Sequence, residues 1–448
     1  MSQKANRGSL PMLKLAFPLA MEQLMRILVS SIDTLMLSSY NNSAVAAVGL
    51  VSQYVFFLNL IFSVIATGSS IVLAQFIGAQ KSEKELTHIA QASYIMMFIS
   101  CTVITLLVLF GTAPLLSCYT LEDDVRHFAW LYFIVFGGCF CIFNGLSLLQ
   151  GAILRSYGHT SEAMIVSIVA NLVNVFGNAL SLYGWFGLPI LGVAGVASSS
   201  GAASVVSTIM FAIFIKKRKD VHSSFKGIFK VPVESFRLIL KVGVPTAGES
   251  LSYNTANIVV MAMISTLGTY AMSAQVYCNT IVRFVFTTAI AIGQATQIKA
   301  GYLVGSHQSD IAYKKIFKYQ LVATTVSMIM IVVANLVKYP IVRLFTDIPE
   351  VIELTCTILI YSAYIEFGRS LNLIYVGALK GAGDIKFPVS YAIFSNWIIL
   401  VLGSYILGKV CGLGLVGFWL AIGTDETTRG MVMLWRWKSR RWQKHALV

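Results

Sequence analysis

A chain of 448 residues that is 57% hydrophobic and only 12% charged, with a mean hydropathy of +0.76, is too apolar to present a polar surface over a soluble core. Its net charge of +14 speaks of membrane topology before it speaks of a polyanionic partner, because the basic residues collect in short segments between long apolar runs. The seven cysteines are scattered with no C-x-x-C and the six histidines lack ligand spacing, which argues against a disulfide framework and a metal site.

Apolar runs of about 20 or more residues recur along the whole length, separated by short connectors, as helices crossing a hydrocarbon core of about 30 Å require. The expected fold is an all-α polytopic membrane protein with 12 transmembrane helices, near 15–38, 51–77, 89–112, 128–152, 162–184, 191–215, 245–265, 272–303, 316–337, 353–378, 388–408 and 413–436. Alternating strands of about ten residues, the mark of an outer-membrane barrel, are missing. With the N-terminus inside, 25 of the 33 Lys and Arg fall in cytoplasmic segments or, for Lys299 and Arg436, at the cytoplasmic ends of spans, 4 outside (Arg126, Lys338, Arg343, Lys409) and 4 deeper within spans (Arg26, Arg283, Arg369, Arg429). That asymmetry places both termini in the cytoplasm, in an inner-membrane protein. No signal-peptide cleavage pattern precedes the first span, so the N-terminal helix is expected to be retained.

The first span carries Glu22, Arg26 and Asp33, spaced by four and seven residues and so on one helical face. A charge near the bilayer centre costs from about 2.5 to well above 10 kcal/mol, so such residues are functional candidates. Glu22 and Arg26 form an i, i+4 structural charge pair. Asp33 lies two turns beyond Arg26, with no cation within a turn to neutralise it; it needs a proton, Na+ or a cationic ligand. Desolvation favours a neutral carboxyl and a neighbouring cation favours an ionised one, so these occupants exclude one another. The structural reading of Asp33 is a protonated side chain capping a helix break.

After the fourth span, "LRSYGHT" (154–160) ends a helix at Gly158, with Arg155 complementing the helix dipole. The fifth span places Asn171, Asn174 and Asn178 on one face, an unusual polar stripe for which interhelical hydrogen bonding is the alternative reading. In the sixth, "SSSG" (198–201) offers the Ser200 hydroxyl, although small residues also serve packing. The basic segment "KKRKDVHSSFKGIFK" (216–230) follows as a connector held against anionic lipid.

Beyond it stand Glu249 in the seventh span, Arg283 in the eighth, Glu366, Arg369 and Asn372 in the tenth, and Asp425, Glu426 and Arg429 in the twelfth. Four acids meet three bases, enough for a cross-helix ionic network. The alternative is a second ion or substrate site using Glu249, Glu366, Arg369, Asp425 or Glu426. "LKGAGDI" (379–385) repeats the helix ending at Gly383 with Lys380, and the tail "WRWKSRRWQKH" reads as an interfacial anchor.

The connector divides the spans six and six, and the halves align. At an offset of 227, Pro18 meets Pro245, Ala20 meets Ala247, Glu22 meets Glu249 and Leu24 meets Leu251; at 225, "LRSYGHT" meets "LKGAGDI", Asn171 meets Asn396, and "GLPILG" (187–192) meets "GLGLVG" (412–417). The expected organisation is a lobe over 1–215, the connector over 216–244 and a lobe over 245–448. Two pseudo-symmetric six-helix lobes of like orientation then flank a central cleft. Asp33 falls on Val260, Asn174 on Ile399 and Asn178 on Gly403, so the polar set belongs to one half, as a functional rather than architectural feature would.

"PLAMEQL" with the following "IDT", then "SAVAAVGL", "LAQFIGAQ", "LRSYG", "LKGAGD", "DETTRG" and "RWKSRRW", in this order and duplication over essentially the whole chain, resemble a bacterial MATE (multidrug and toxic compound extrusion) transporter. The resemblance implies a secondary antiporter that exports organic, often cationic, compounds against H+ or Na+, with no other cofactor. In one branch of that family an Asp of the first span and an Asn-x-x-x-Asp of the fifth bind the ion. Asp33 and Asn174 match, but Asn178 replaces the second Asp; this removes a negative charge, weakens a two-carboxylate Na+ site and favours H+. Other branches bind the ion in the C-terminal lobe. No G-x-x-x-x-G-K-[ST], G-x-S-x-G or H-E-x-x-H occurs, so neither ATP-driven transport nor an enzyme is expected. The expected partners are small organic molecules and the bilayer, without nucleic acid, for a monomer. The competing reading is a flippase for a lipid-linked or anionic amphiphile, whose phosphate the intramembrane arginines would receive. Three of those four have an acid within four positions, which counts against it.

Overall fold

In the computed structural model, which describes residues 8, 10–187 and 189–448, each expected span falls on a helix or on a broken helix. The first half contains α1 (Met12–Tyr40), α2 (Asn42–Gly78), α3 (Glu83–Ser117), α4 (Asp123–Tyr132), α5 (Cys141–Ser156), α6 (Thr160–Tyr183) and α7 (Gly192–Lys217). The second contains α8 (Val233–Ser265), α9 (Thr269–Gly305), α10 (Ser309–Leu336), the short α11 (Lys338–Arg343), α12 (Pro349–Gly381), α13 (Lys386–Ser395) and α14 (Gly414–Lys438). Among the described residues there is no strand.

Among the described residues nine helical segments are long and apolar enough to cross a membrane, the ninth being Lys386–Val410, in which π-helical turns continue α13, and α4 with α5, bent by 52°, makes a tenth. The bend sits at a π-helical turn, Phe133–Cys139, which contains Gly137 and Gly138. Such turns are a recognised cause of helix kinks. The remaining two, α8 and α14, are long enough to span at 33 and 25 residues but more polar. Every membrane-length stretch of α14 includes Asp425, Glu426 and Arg429.

Helix ends follow the sequence. Ser82 and Glu85 form a capping box at the start of α3. Gly158 and Gly383 take φ of 82° and 90° just past α5 and α12, a conformation that costs glycine nothing.

The chain divides into two compact units. One comprises Met21–Leu73 and Lys81–Val244; the other comprises the chain up to Ala20, Ala74–Gln80 and Pro245–Val448. The boundary at Pro245 lies within α8, because helix begins at Val233, inside the segment expected as a connector. Its apolar residues explain why. Ile239 and Val242 are fully buried, and Gly68 of α2 and Gly243 of α8 leave no room for a Cβ against the carbonyls of Ile239 and Val64.

The tail departs from expectation more sharply. Trp437 and Trp442, expected to anchor at the membrane interface, are completely buried and stack with centroids 4.2 Å apart at 3°. The Trp442 Nε1 donates to the Trp437 carbonyl at 3.0 Å, and both rings join a core with Leu15, Leu19 and Tyr375. Only Trp435 is exposed, at 54%. The tail is held by side chains as well: Arg436 pairs with Asp384 at 2.7 Å, and the Leu447 backbone N–H donates to Gln75 at 2.7 Å. We expect Trp442→Ala to destabilise the purified protein by about 3 kcal/mol, the loss typical of a large buried aromatic, and Trp435→Ala to change it little. Thermal unfolding in detergent of the two variants measures the difference.

Candidate functional site

In the first unit α6 and α7 approach closely because Gly177 and Gly195 face Ser199 and Ser181, where a Cβ would collide. That contact brings Ser200 of α7 to Asn174 of α6, 3.0 Å away. One turn further along α6, Asn178 Nδ2 donates to Asp33 Oδ1 of α1 at 2.8 Å. The Asn174 amide satisfies all its neighbours when Nδ2 donates to the Asp33 carboxylate, at 3.0 and 3.1 Å, and Oδ1 accepts from the Ser200 hydroxyl at 3.0 Å. Tyr132, buried at the end of α4 just before the π-helical turn, places its hydroxyl near Ser200.

The four residues singled out in the first half, Asp33, Asn174, Asn178 and Ser200, are thus brought together, and Tyr132 joins them unanticipated. A tyrosine early in an apolar span carries no signal by itself; only the bend after α4 brings it here. The third member of the polar stripe, Asn171, stays outside, its Nδ2 buried without a hydrogen-bond partner. Asn174 and Asn178 are buried, whereas Asp33 keeps partial exposure. Among the described residues no basic side chain pairs with Asp33, and the Asn178 Oδ1 is buried with no donor. The site therefore holds one carboxyl fed by amide N–H groups, beside one acceptor left open.

The charges of the second unit are balanced among themselves. Arg369 of α12 contacts Glu366 at 2.5 Å and Glu426 of α14 at 3.2 Å. Arg429 contacts Asp425 at 2.5 Å and Glu426 at 3.7 Å. Asn372 donates to Glu426 at 2.8 Å and Ser395 to Asp425 at 2.5 Å. All are buried or nearly so, with Arg369 packed over the Phe286 ring and Arg429 over Tyr253. Three acids share two bases, and Glu366 Oε2 is left without a hydrogen bond. Two residues expected in this network are elsewhere. Glu249 pairs with Lys380 at 2.7 Å, and Arg283 makes no ion pair among the described residues.

The Glu249–Lys380 contact has a counterpart. Glu22, besides Arg26 at 3.0 Å, meets Arg155 at 3.3 Å, and the repeat registers pair Glu22 with Glu249 and Arg155 with Lys380. Each half thus ties its first helix, four residues after a proline, to the end of its fourth span by the same acid and base. Arg155 and Lys380, read from sequence as complements of a helix dipole, bond to carboxylates instead. Reading the two offsets together would have paired them. The register that joins 187–192 to 412–417 also sets Ser200 against Asp425, so the neutral site and the charged cluster occupy corresponding places in the two halves.

The MatE family model matches the chain twice, over residues 18–180 and 245–406, the two matches beginning at the paired prolines. Among curated proteins, the uncharacterised transporter YisQ of Bacillus subtilis is 36% identical over 428 residues, covering 96% of this chain and 94% of that protein. A probable multidrug resistance protein NorM of Thermotoga maritima is 24% identical over 98% of this chain and 94% of its own length. Among solved structures, the outward-facing conformation of a multidrug resistance MATE family transporter of the MOP superfamily aligns with a TM-score of 0.88 at 19% identity, covering 96% of this chain and 95% of the other. At that identity the structural likeness speaks for the fold.

Breaking a buried ion pair leaves a charge without compensation and costs about 3 kcal/mol or more. Lys380→Met is therefore expected to lower the melting temperature clearly, and Glu249→Gln with Lys380→Met to recover most of the loss. Arg155→Met leaves Glu22 still paired with Arg26, so it should lower the melting temperature less than Lys380→Met does in the same melting series. Single variants that melt with the parent would show that the pair does not brace the helices.

Proposed function

The chain belongs to the MatE family of membrane transporters, and from that premise we propose that it is a secondary active multidrug antiporter, exporting organic, often cationic, compounds in exchange for a proton by alternating access. The observation that carries this reading is Asp33: a carboxyl at membrane depth with no base beside it, held by Asn174 and Asn178. An ionised Asp33 is costly in a closed, apolar setting, and it is relieved by a proton or by a cationic substrate but not by both. That exclusion is what exchange requires, and the two-lobed repeat is the architecture in which alternating access operates.

The donor set supports H+ over Na+. Both asparagines turn N–H groups toward the carboxylate, which leaves fewer oxygens for a metal cation. A protonated Asp33 acquires a donor, and the unpartnered Asn178 Oδ1 is an acceptor next to it. In this reading Ser200 and Tyr132 orient Asn174, and the second unit's cluster of Glu366, Arg369, Asp425, Glu426 and Arg429 is chiefly structural, its spare carboxyl oxygen at Glu366 being the one place there for a second proton. The protein works as an inner-membrane monomer with both termini in the cytoplasm.

The test is purified protein in proteoliposomes, following a fluorescent organic cation under an imposed proton gradient and, separately, an imposed Na+ gradient. Proton-driven transport by the wild type and loss of it in Asp33→Asn, down to the level of empty vesicles, are expected. Full gradient-driven transport by Asp33→Asn overturns the assignment. Asn178→Asp adds a second carboxylate and should make transport respond to Na+.

A further inference from the structure

Resting on the transporter reading, we propose that the exposed polar face of α9 at Arg283 is a recognition site for an anionic group, a carboxylate or phosphate, on the transported amphiphile. Of the four arginines within spans, Arg429 is buried and Arg369 nearly so, both paired with acids, and Arg26, though exposed, is held by Glu22. Arg283 differs from all three. Its side chain is exposed, as that of Arg26 is, but it makes no hydrogen bond or ion pair with any described residue.

Its depth rules out the usual escape. At a rise of about 1.5 Å per residue, Arg283 lies about 21 Å along the axis from Thr269, the first residue of α9, well inside a hydrocarbon layer of about 30 Å. Long basic side chains reach the interface only from near helix ends. A guanidinium here must face either water or an anion.

The neighbouring residues agree. Met272, Val276, Asn279, Thr280 and Arg283 are all exposed and recur at helical spacing, so they share one face. Asn279, Thr280 and Arg283 put three polar groups in a row on it, an arrangement unsuited to lipid tails. Met272 and Val276, 36% and 47% exposed, with Phe284 at 38%, supply apolar surface beside that row. The Thr280 hydroxyl is spent on the Val276 carbonyl at 2.9 Å, which leaves Arg283, with five N–H donors, and the Asn279 amide to bind a ligand. A planar fork with apolar flanks fits an anionic head on an apolar body. No acid stands in this row, so the face has no use for a cation of its own.

A rhodamine bearing a free carboxylate and its methyl ester form the discriminating pair, because they differ only in that group. Binding to the detergent-purified full chain is followed by fluorescence anisotropy, and gradient-driven uptake in proteoliposomes is followed separately. Arg283→Gln should weaken binding of the acid on the order of tenfold, the value of a charge-assisted hydrogen bond, and leave the ester within about twofold. Arg283→Lys, which keeps the charge and loses the fork, should fall between, and covers the case in which the Gln variant fails to fold. Equal losses for acid and ester overturn the proposal, as does no loss for either dye when a labelled anionic phospholipid also shows no Arg283-dependent crossing. A labelled anionic phospholipid that crosses leaflets in an Arg283-dependent way, with both dyes unaffected, identifies the bound group as a lipid head group rather than that of a free compound. Failure of the antiport reading would appear as absent gradient-driven uptake of the ester in the wild type, which leaves the binding comparison intact.

Discussion

An ion inside the hydrocarbon layer must be paired, hydrated or neutralised, and the helices of this protein are arranged around that requirement. Glu22 is clamped by Arg26 and Arg155, Glu249 by Lys380, and Glu366, Asp425 and Glu426 by Arg369 and Arg429. Each contact is a constraint on helix position as well as a compensation of charge. What stands outside this arrangement is correspondingly informative. Asp33 has amides but no base, and Arg283 has no partner among the described residues.

The duplication explains how one scaffold carries two different interiors. Both halves use the same device at the start, a proline followed four residues later by a glutamate that reaches a base at the end of the fourth span. From there they diverge. In the first unit Ser200 belongs to a nearly neutral group around one carboxyl, while its counterpart Asp425 belongs to a dense cluster of five charges. A neutral surround lets a single proton change the net charge of its site. A cluster already tied by several ion pairs resists such a change, since each member except Glu366 is held by more than one neighbour.

Much of this organisation was legible along the chain. Asn174 and Asn178, one turn apart, and their absence from the second half marked α6 as carrying a candidate site, and Asp33 stood out because nothing within a turn compensated it. Asn171, of the same stripe, was indistinguishable from them by spacing, and only the position of α1 and α7 separates it from the site. Tyr132 left no trace in the sequence, because its place depends on a π-helical turn that apolar periodicity does not encode. Trp437 and Trp442 were misread for a related reason. Tryptophans alternating with basic residues look interfacial, and their burial depends on a tail that folds back onto its own core.

The sequence by itself determined the membrane class, the number of spans, the duplication and the short roster of charges that needed an explanation. These are properties of composition, period and offset, and they survive without knowledge of what lies opposite a given face. Tertiary structure alone decided which charges are compensated. Arg155 and Lys380 found carboxylates more than a hundred positions away in the chain, Glu249 left the network it was counted in, and Arg283 was left unpaired. Helical spacing defines a face but not its neighbour, and in a medium where an unpaired charge is so costly the neighbour settles the role.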